Sequence, residues 1–295
     1  IVVNFADANL EQAVRDAIGK QEGPIYAHEV DQLEELEARL GNVIYDLSGI
    51  EYLTNLRILD IYGNRVSDLT PLSNLSNLEE LHAAGGNNIS SLSPILGLTN
   101  LRFLDIGYNP ITDITQLAQM TWLEDLRING INASDISFIT PLQNLIMLYV
   151  YDNEIEDISP LLQMSNLQYL NIGANPISNI ELIGNMTQLR YLSGSYLGLS
   201  DISFVSGLVN LYQLTLNNNN ISDISPISNL TGLLYLHLHN NEISSITDLQ
   251  ASKFSTYDEL PDNDLPLMEE HDYRYYCEEE IIESSGGNQI YDIQA

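Results

Sequence analysis

The sequence predicts an α/β solenoid: a horseshoe with a parallel sheet on its concave face, short 3₁₀ or irregular turns on its convex side and a helical cap at its N-terminus. Three observations predict this fold: a 22-residue period, an alternation of apolar and polar residues at the start of each unit, and helical spacing of apolar residues before the first unit. The period is 22 residues throughout, except for one step of 23. It is marked by Leu56, Leu78, Leu101, Leu123, Leu145, Leu167, Leu189, Leu211 and Leu233.

Each unit follows the pattern L-x-x-L-x-L-x-x-N-x-L, which is the signature of a leucine-rich repeat. In LRFLDIGYN (residues 101–109), apolar and polar residues alternate, so a short strand with one buried face is expected. Asn109 follows this strand, where an amide side chain can hydrogen-bond backbone groups that the turn leaves unpaired. The same position holds Asn64, Asn87, Asn153, Asn175, Asn219 and Asn241, and it is replaced by Ile131 and Leu197. Because one unit cannot bury both of its faces alone, the units are expected to stack and to pair nine strands in parallel.

The second half of each unit predicts the convex side. In ISDISPISNL (residues 221–230), an Asp is followed by Ser-Pro. Proline stops a strand and favours a tight turn or the first turn of a helix. About a dozen residues remain in each unit for this return path, so short 3₁₀ or irregular turns are expected.

The ends of the array are predicted to differ from its middle. Residues 1–41 are interpreted as a helical cap, 42–249 as a half repeat followed by about nine units, and 250–295 as an acidic C-terminal cap or tail. In the cap, Leu10 and Val14 predict one helix that ends at Gly19. A second predicted helix runs through Val30, Leu33, Leu36 and Leu40 and ends at Gly41. The C-terminal residues 278–294 alternate around Gly-Gly and favour a hairpin over the last coil, with a partner-docking segment as the alternative.

The composition excludes several classes of function. The 295 residues include 10 basic and 41 acidic side chains, a formal net charge of −31. Such a chain lacks the basic surface that displaces counterions from nucleic-acid phosphates, and anionic membranes would repel it, whereas a cationic partner would be attracted. No stretch approaches the ~20 apolar residues of a transmembrane helix, so membrane insertion is not expected. The single cysteine, Cys277, excludes an intramolecular disulfide and a cysteine-based zinc site.

The units resemble the internalin-type leucine-rich repeats of Gram-positive bacterial surface proteins. The resemblance rests on the unit endings SDLTPLSNL (67–75), EDISPLLQM (156–164) and SDISPISNL (222–230), and on the opening FADANLEQAVRDAI (5–18), which is similar to the helical cap of such arrays. It covers about residues 1–249. The resemblance implies a protein that is secreted or displayed on the bacterial cell surface. It also implies binding of a protein partner on the concave sheet, as in several members that bind a host protein.

The concave face carries the candidate binding residues. Residues on either side of the buried leucine of each strand point into the groove, and there three consecutive coils contribute Tyr149, Tyr151, Tyr169 and Tyr191, with Met147 beside them. Exposed aromatic side chains on a rigid sheet lose little entropy when they engage a partner. The predicted partner-binding residues also include Phe103, Asp105, Asp125, Arg127 and Tyr235. The three charged members are expected to add selectivity. The alternative is cross-strand stacking that only stabilises the sheet.

Two polar patterns have a simpler explanation than a metal site. One Asp per coil recurs beside Ser or Thr, which favours turn capping over calcium binding because calcium ligands must converge. This series comprises Asp46, Asp68, Asp113, Asp135, Asp157, Asp201 and Asp223. His237 and His239 share one strand face without an obvious third ligand, so surface histidines are favoured over a metal site.

The sequence contains no nucleophile elbow, phosphate-binding loop, metalloprotease motif or Cys–His pair. We therefore predict a monomeric, non-enzymatic protein-binding module with no catalytic residue, no metal and no cofactor. Two alternatives stay open: an intracellular leucine-rich-repeat scaffold or regulator, and a cell-wall-associated structural protein.

Overall fold

The computed structural model describes residues 1–39 and 43–244, together with the backbone of Ile293–Gln294. The N-terminal cap begins with a two-stranded antiparallel sheet of β1 (Val2–Val3) and β2 (Ile25–Tyr26). Between them, α1 (Ala8–Ile18) starts at the N-cap Asp7, whose carboxylate accepts the Asn9 and Leu10 N–H groups. The helix ends at Gly19 in the left-handed conformation (φ 66°), as the sequence predicted.

The second predicted helix is wrong beyond Val30. The structure has only α2 (Ala27–Val30), followed by the strand β3 (Glu35–Glu37). Leu36, which the helical pattern used, is instead the buried centre of this strand and is 1% exposed. The spacing of apolar residues did not distinguish a helix from a strand here, because the alternation of Glu35, Leu36 and Glu37 also fits a strand. Pairing with the otherwise open edge of the repeat sheet decides the outcome.

The main sheet is the one that the repeat period predicted, with one more parallel strand at its N-terminal edge. Neighbouring strands follow chain order and are parallel from β3 to β12. Each strand is three residues long, and its central leucine faces the core. After β3 come β4 (Ile58–Asp60), β5 (Glu80–His82), β6 (Phe103–Asp105), β7 (Asp125–Arg127), β8 (Met147–Tyr149), β9 (Tyr169–Asn171), β10 (Tyr191–Ser193), β11 (Gln213–Thr215) and β12 (Tyr235–His237).

The far edge of this sheet carries a short antiparallel strand. β13 (Ile293–Gln294) pairs with Tyr235 and Leu236 of β12. The rest of the predicted acidic segment 250–295, with its hairpin and Cys277, lies outside the described residues, as do Leu40 and Gly41. Within the described part of the chain, no helix has the length and apolar character needed to cross a membrane.

The convex side consists of short 3₁₀ helices, as predicted. In the helices that contain Pro71, Pro94, Pro160 and Pro226, the proline occupies the first turn, where a missing N–H costs nothing. The 3₁₀ helices span Ile50–Tyr52, Thr70–Leu72, Ser93–Ile95, Ile114–Gln119, Ser137–Ile139, Ser159–Gln163, Ile180–Asn185, Ser203–Gly207 and Ser225–Asn229.

The asparagine that follows each strand links neighbouring coils through the core. Nδ2 of Asn109 donates to Ala83 O of the preceding coil (2.9 Å) and to Ile106 O of its own (3.1 Å), while Oδ1 accepts Ile89 N–H (3.0 Å). Where the asparagine is replaced by Ile131, the next one compensates. Asn153 Oδ1 accepts both Ile131 N–H (3.1 Å) and Ala133 N–H (2.9 Å). Buried backbone groups are thus paired along the solenoid.

Candidate functional site

The concave face is formed by the first and third residues of each strand. Because the sheet is parallel and in register, first residues stand beside first residues of the next coil, and third residues beside third residues. The first-residue row reads Glu35, Ile58, Glu80, Phe103, Asp125, Met147, Tyr169, Tyr191, Gln213 and Tyr235. The third-residue row reads Glu37, Asp60, His82, Asp105, Arg127, Tyr149, Asn171, Ser193, Thr215 and His237. All the predicted binding residues of strands β6 to β10 therefore share this face, and Tyr151 follows β8.

A line of side chains, mostly aromatic, crosses the middle of this face. The rings of His82 and Phe103 are stacked with centroids 4.2 Å apart. On the next strand, β7, the guanidinium carbon of Arg127 lies 4.7 Å from the Phe103 ring centroid, and it also lies 5.2 Å from that of Tyr149. Tyr149 continues the line to Tyr191 at 6.1 Å. We call these five side chains the concave stack. It runs from β5 to β10 without entering the leucine core.

Arg127 is the fixed centre of the concave stack. It is 5% exposed, and its Nη2 and Nε donate to the two carboxylate oxygens of Asp125 at 2.9 and 3.2 Å. Nη2 also lies 3.5 Å from Sδ of Met147. A guanidinium held by a two-point ion pair between two aromatic faces keeps one orientation, because its planar fork matches both partners. Asp125 and Arg127, which the sequence assigned to charge selectivity, therefore satisfy each other.

The tyrosines at the centre are less exposed than predicted. Tyr149 is 2% exposed, Tyr169 7% and Met147 9%, whereas Tyr191 is half-buried. These four side chains form a hydrophobic cluster of their own, separate from the leucine core. The expectation of exposed rings is thus wrong for Tyr149 and Tyr169, because large side chains on adjacent strands ~4.8 Å apart cover one another. Burial also raises the pKa of Tyr169 above its ordinary value.

Asp105 stands in the third-residue row between His82 and Arg127 and is half-buried. Its carboxylate accepts the Gly107 N–H at 3.1 Å. Desolvation raises the pKa of Asp105 to about 6, outweighing the opposing effects of Arg127, of this hydrogen bond and of His82; Asp125 adds to the rise. The charge of this carboxyl group therefore changes around pH 6.

Two predicted residues, Tyr151 and Tyr235, are not members of the concave stack. Tyr235 is half-buried at the C-terminal end of the face, where its ring meets Tyr212 edge-on at 5.1 Å. Tyr151 is half-buried after β8, against the backbone of the next coil: a Cβ atom placed on Gly173 would lie 3.0 Å from its ring. Small polar side chains occupy the end of β10 and the turn after it, where Ser193 and Ser195 are both nearly buried.

Two exposed tyrosines with a left-handed backbone were not predicted. Tyr108 is 46% exposed and Tyr196 52%, and both adopt the left-handed conformation, with φ of 56° and 59°. A bulky residue rarely adopts this conformation, because its Cβ crowds the backbone. The Tyr108 ring covers Gly130 of the next coil, where a Cβ atom would lie 2.3 Å from the ring. The sequence signal was present: each tyrosine stands directly before the asparagine position of its repeat, at Asn109 and Leu197.

The recurring Asp residues act as turn caps. Asp135 Oδ1 accepts Ser137 N–H at 2.7 Å, and Asp157 Oδ1 accepts Ser159 N–H at 2.8 Å. The hydrogen bond from the Ser159 backbone is the main reason why the pKa of Asp157 lies below its ordinary value. The same contact is made by Asp46, Asp68, Asp113, Asp201 and Asp223. Across residues 1–39 and 43–244, no three His, Cys, Asp or Glu side chains are grouped as a metal site would require.

These features define a leucine-rich-repeat protein with a preorganised concave surface. The family described as leucine-rich repeats in two copies matches residues 31–74, 76–119, 99–141, 143–185 and 209–251. The first match includes β3, in agreement with a coil that begins before residue 41. Residues 186–208, which fall outside the matches, contain Leu197 at the asparagine position.

Solved structures place the chain more narrowly. An internalin (InlF) from Listeria monocytogenes is similar at 33% identity and a TM-score of 0.73, over 83% of this chain and 72% of that one. Internalin C2 (InlC2) of the same species is similar at 31% identity and a TM-score of 0.55, over 79% and 94%. The chain therefore belongs to the internalin-type leucine-rich-repeat proteins.

A third Listeria monocytogenes structure shows a difference. The functional domain of InlJ, which includes a cysteine ladder, is similar at 25% identity and a TM-score of 0.54, over 83% of this chain and 63% of that one. This chain has one cysteine and links its coils through asparagines instead. No curated protein matches the chain.

Proposed function

We propose that this protein is a non-enzymatic module, secreted or displayed on a bacterial cell surface, that binds another protein through its concave face. The observation that supports this function is the concave stack with its neighbours Met147 and Tyr169. These side chains form an ordered, largely apolar surface outside the leucine core. The leucines already form a continuous core of their own, so this surface is an addition to it. Secretion or surface display, and a host protein as the partner, are proposed on the likeness to the Listeria internalins.

The geometry favours binding without rearrangement. Arg127 is held in place by Asp125 and by two rings. Its side chain therefore loses no further conformational entropy when a partner docks. Phe103 and Tyr191 are half-buried and present the accessible edges of the stack. Buried aromatic and arginine side chains surrounded by partly exposed ones are the arrangement found at the energetic centres of protein interfaces.

A pull-down from solubilised host-cell surface proteins tests this function. The baits are the full chain, a Phe103→Ala/Tyr191→Ala double variant, and a Tyr45→Ala control whose ring is 63% exposed away from the concave face. We expect the wild type and the control to retain the same protein and the double variant to lose it, with circular dichroism showing that all three are folded. Equal capture by all three baits would contradict concave-face binding.

Two further pull-downs with the same baits distinguish the alternatives. Retention of glycan polymers without any protein from a bacterial cell-wall extract would favour a cell-wall-associated structural role. A partner found only in an extract of intracellular proteins would favour a scaffold or regulator inside the cell.

A further inference from the structure

We propose that Asp105 and the edge of the Phe103 ring form a subsite on the concave face for one lysine or arginine side chain of the partner protein. This inference rests on the proposed function and adds the chemistry that the partner must present. It concerns a single position on the face, between strands β5 and β7.

The Asp105 carboxylate makes no ion pair within the part of the chain that the structure describes. Among the described residues, no Lys or Arg nitrogen lies within the 4.0 Å of an ion pair, and the Gly107 N–H is its hydrogen-bond donor. A half-buried carboxylate with one donor has free lone pairs on a face that a partner would dehydrate. Covering it without supplying a cation or donors would cost free energy, which a basic side chain would offset.

The neighbouring cations are already committed to other carboxylates. Arg127 makes its two-point ion pair with Asp125, and Arg39 pairs with Asp60 at 2.5 Å. On β5, His82 stands beside Asp105 and Glu80 stands beside Phe103, and the two β5 side chains contact each other at 3.4 Å. The concave surface from β3 to β7 also carries Glu35 and Glu37 on its first strand. The local charge is thus negative, as is the whole chain at −31, so a basic partner is attracted at long range as well.

The wall beside Asp105 suits a long side chain better than a metal ion. Phe103 lies on the same strand, two residues away, and is half-buried, with its ring against His82 and Arg127. Lysine and arginine carry methylene stems that pack on apolar surface while the charged head reaches a carboxylate. Calcium and magnesium need several converging oxygens, and the described residues hold no such group at this place.

The raised pKa of Asp105, about 6, supports the same interpretation and gives the subsite a measurable pH dependence. A bound cation favours the ionised carboxylate and lowers this pKa in the complex. Affinity is therefore full above pH 6 and falls as Asp105 of the free protein becomes protonated, by up to about tenfold for each pH unit.

A display library of random peptides, selected on the immobilised full chain, tests the subsite without knowledge of the natural partner. Selections are run in parallel on wild type, on Asp105→Asn and on Asp201→Asn. The last is a matched control, because it removes the same charge at a turn cap outside the concave face. Asparagine can still accept the Gly107 N–H, so Asp105→Asn is expected to fold. The affinity of each selected peptide is then measured for wild type and for the Phe103→Ala/Tyr191→Ala double variant. Weaker binding to the double variant marks a peptide that depends on Phe103 and Tyr191.

We expect peptides that depend on Phe103 and Tyr191 to be enriched in Lys or Arg, to bind Asp105→Asn at least about tenfold more weakly, and to bind Asp201→Asn normally. Their affinity should fall below pH 6 for wild type and stay flat for Asp105→Asn. Protonation of His82 would also repel a cation, so the profile is repeated in His82→Gln, where the fall should persist. Peptides that depend on Phe103 and Tyr191 but lack basic residues, or bind Asp105→Asn equally well, would overturn the subsite and leave the proposed function standing. Peptides that bind the double variant as tightly as wild type would overturn both the subsite and the proposed function.

Discussion

The guanidinium carbon of Arg127 lies 4.7 Å from the centre of the Phe103 ring, 24 residues earlier in the chain and one coil away. This contact turns two separate rows of concave side chains into one connected surface, since Phe103 belongs to the first-residue row and Arg127 to the third. A cation over an aromatic face contributes about 0.5–2 kcal/mol, more when the pair is desolvated. The concave face is consequently ordered before any partner arrives.

Tyr149→Ala is expected to destabilise the protein by about 2–4 kcal/mol. Its ring is 2% exposed and covers Arg127, so truncation leaves a cavity and uncovers a charged group. Tyr196→Ala, at a ring that is 52% exposed, should change the free energy of unfolding by less than about 0.5 kcal/mol. Chemical denaturation of both variants checks this difference. Equal and small effects would show that the central tyrosines do not stabilise the fold.

Asp105→Asn is expected to stabilise the protein at neutral pH. Because the folded-state pKa is raised to about 6 from 3.8, folding favours the protonated acid. The resulting stability is present below pH ~4 and is lost as the pH rises through 6. Relative to wild type, the variant should therefore gain up to about 3 kcal/mol above pH 6 and nothing below pH ~4, less any loss of attraction to Arg127. Denaturation midpoints of wild type and Asp105→Asn, measured from about pH 3.5 to about pH 8, test this because the range covers both sides of the titration. If Asp105→Asn were more stable than wild type only at acidic pH, desolvation would not be the main influence on the pKa of Asp105.

Asn153→Ala is expected to cost more stability than Asn175→Ala. Asn153 accepts two buried N–H groups, those of Ile131 and Ala133, because the preceding coil lacks its own asparagine. Asn175 accepts one, that of Ile155, at 3.0 Å. Each buried group left unpaired costs about 1–3 kcal/mol, so the difference between the variants should be of that size. Parallel urea titrations measure it, and a larger cost for Asn175→Ala would refute the compensation between coils.

Gly130→Ala is expected to be more harmful than Gly86→Ala. Both glycines have positive φ (59° and 84°), so alanine is strained at either position by roughly 1–2 kcal/mol. At Gly130 the new methyl group would also meet the Tyr108 ring at 2.3 Å, whereas at Gly86 nothing lies within 4 Å. The extra loss of stability at Gly130 should be accompanied by a change in the tyrosine near-ultraviolet signal. Identical losses would mean that the Tyr108 ring moves aside freely.

The repeat phase made most of the fold predictable. Nine leucines in register determine which residues form strands, which face the core and which face the groove, because a period of 22 fixes every later position once one is assigned. The Asp turn caps followed from the same register. The helix predicted through Leu36 failed because apolar spacing near a sheet edge fits two structures, and only the neighbouring strand β4 selects between them.

The site was predictable in its location but not in its exposure. Register placed Arg127, Tyr149 and Tyr169 on the concave face, yet the degree to which side chains cover one another depends on ring orientation across strands. The pairing of Arg127 with Asp125 on its own strand, rather than with Asp105 on the neighbouring one, is likewise a matter of rotamers. The exposure of Tyr108 and Tyr196 was not predicted. The residue before the repeat asparagine usually has a left-handed backbone, which tyrosine rarely adopts.

Photo-crosslinking from the concave face tests the central claim most directly. A benzoylphenylalanine is placed at the position of Tyr191, on the accessible edge of the concave stack, or at the position of Leu162, which is 46% exposed on the convex side. Each protein is irradiated with the partner that the pull-down retains. We predict a covalent adduct from the Tyr191 position and none from the Leu162 position. An adduct from the convex position without one from the concave position would contradict binding through the concave face.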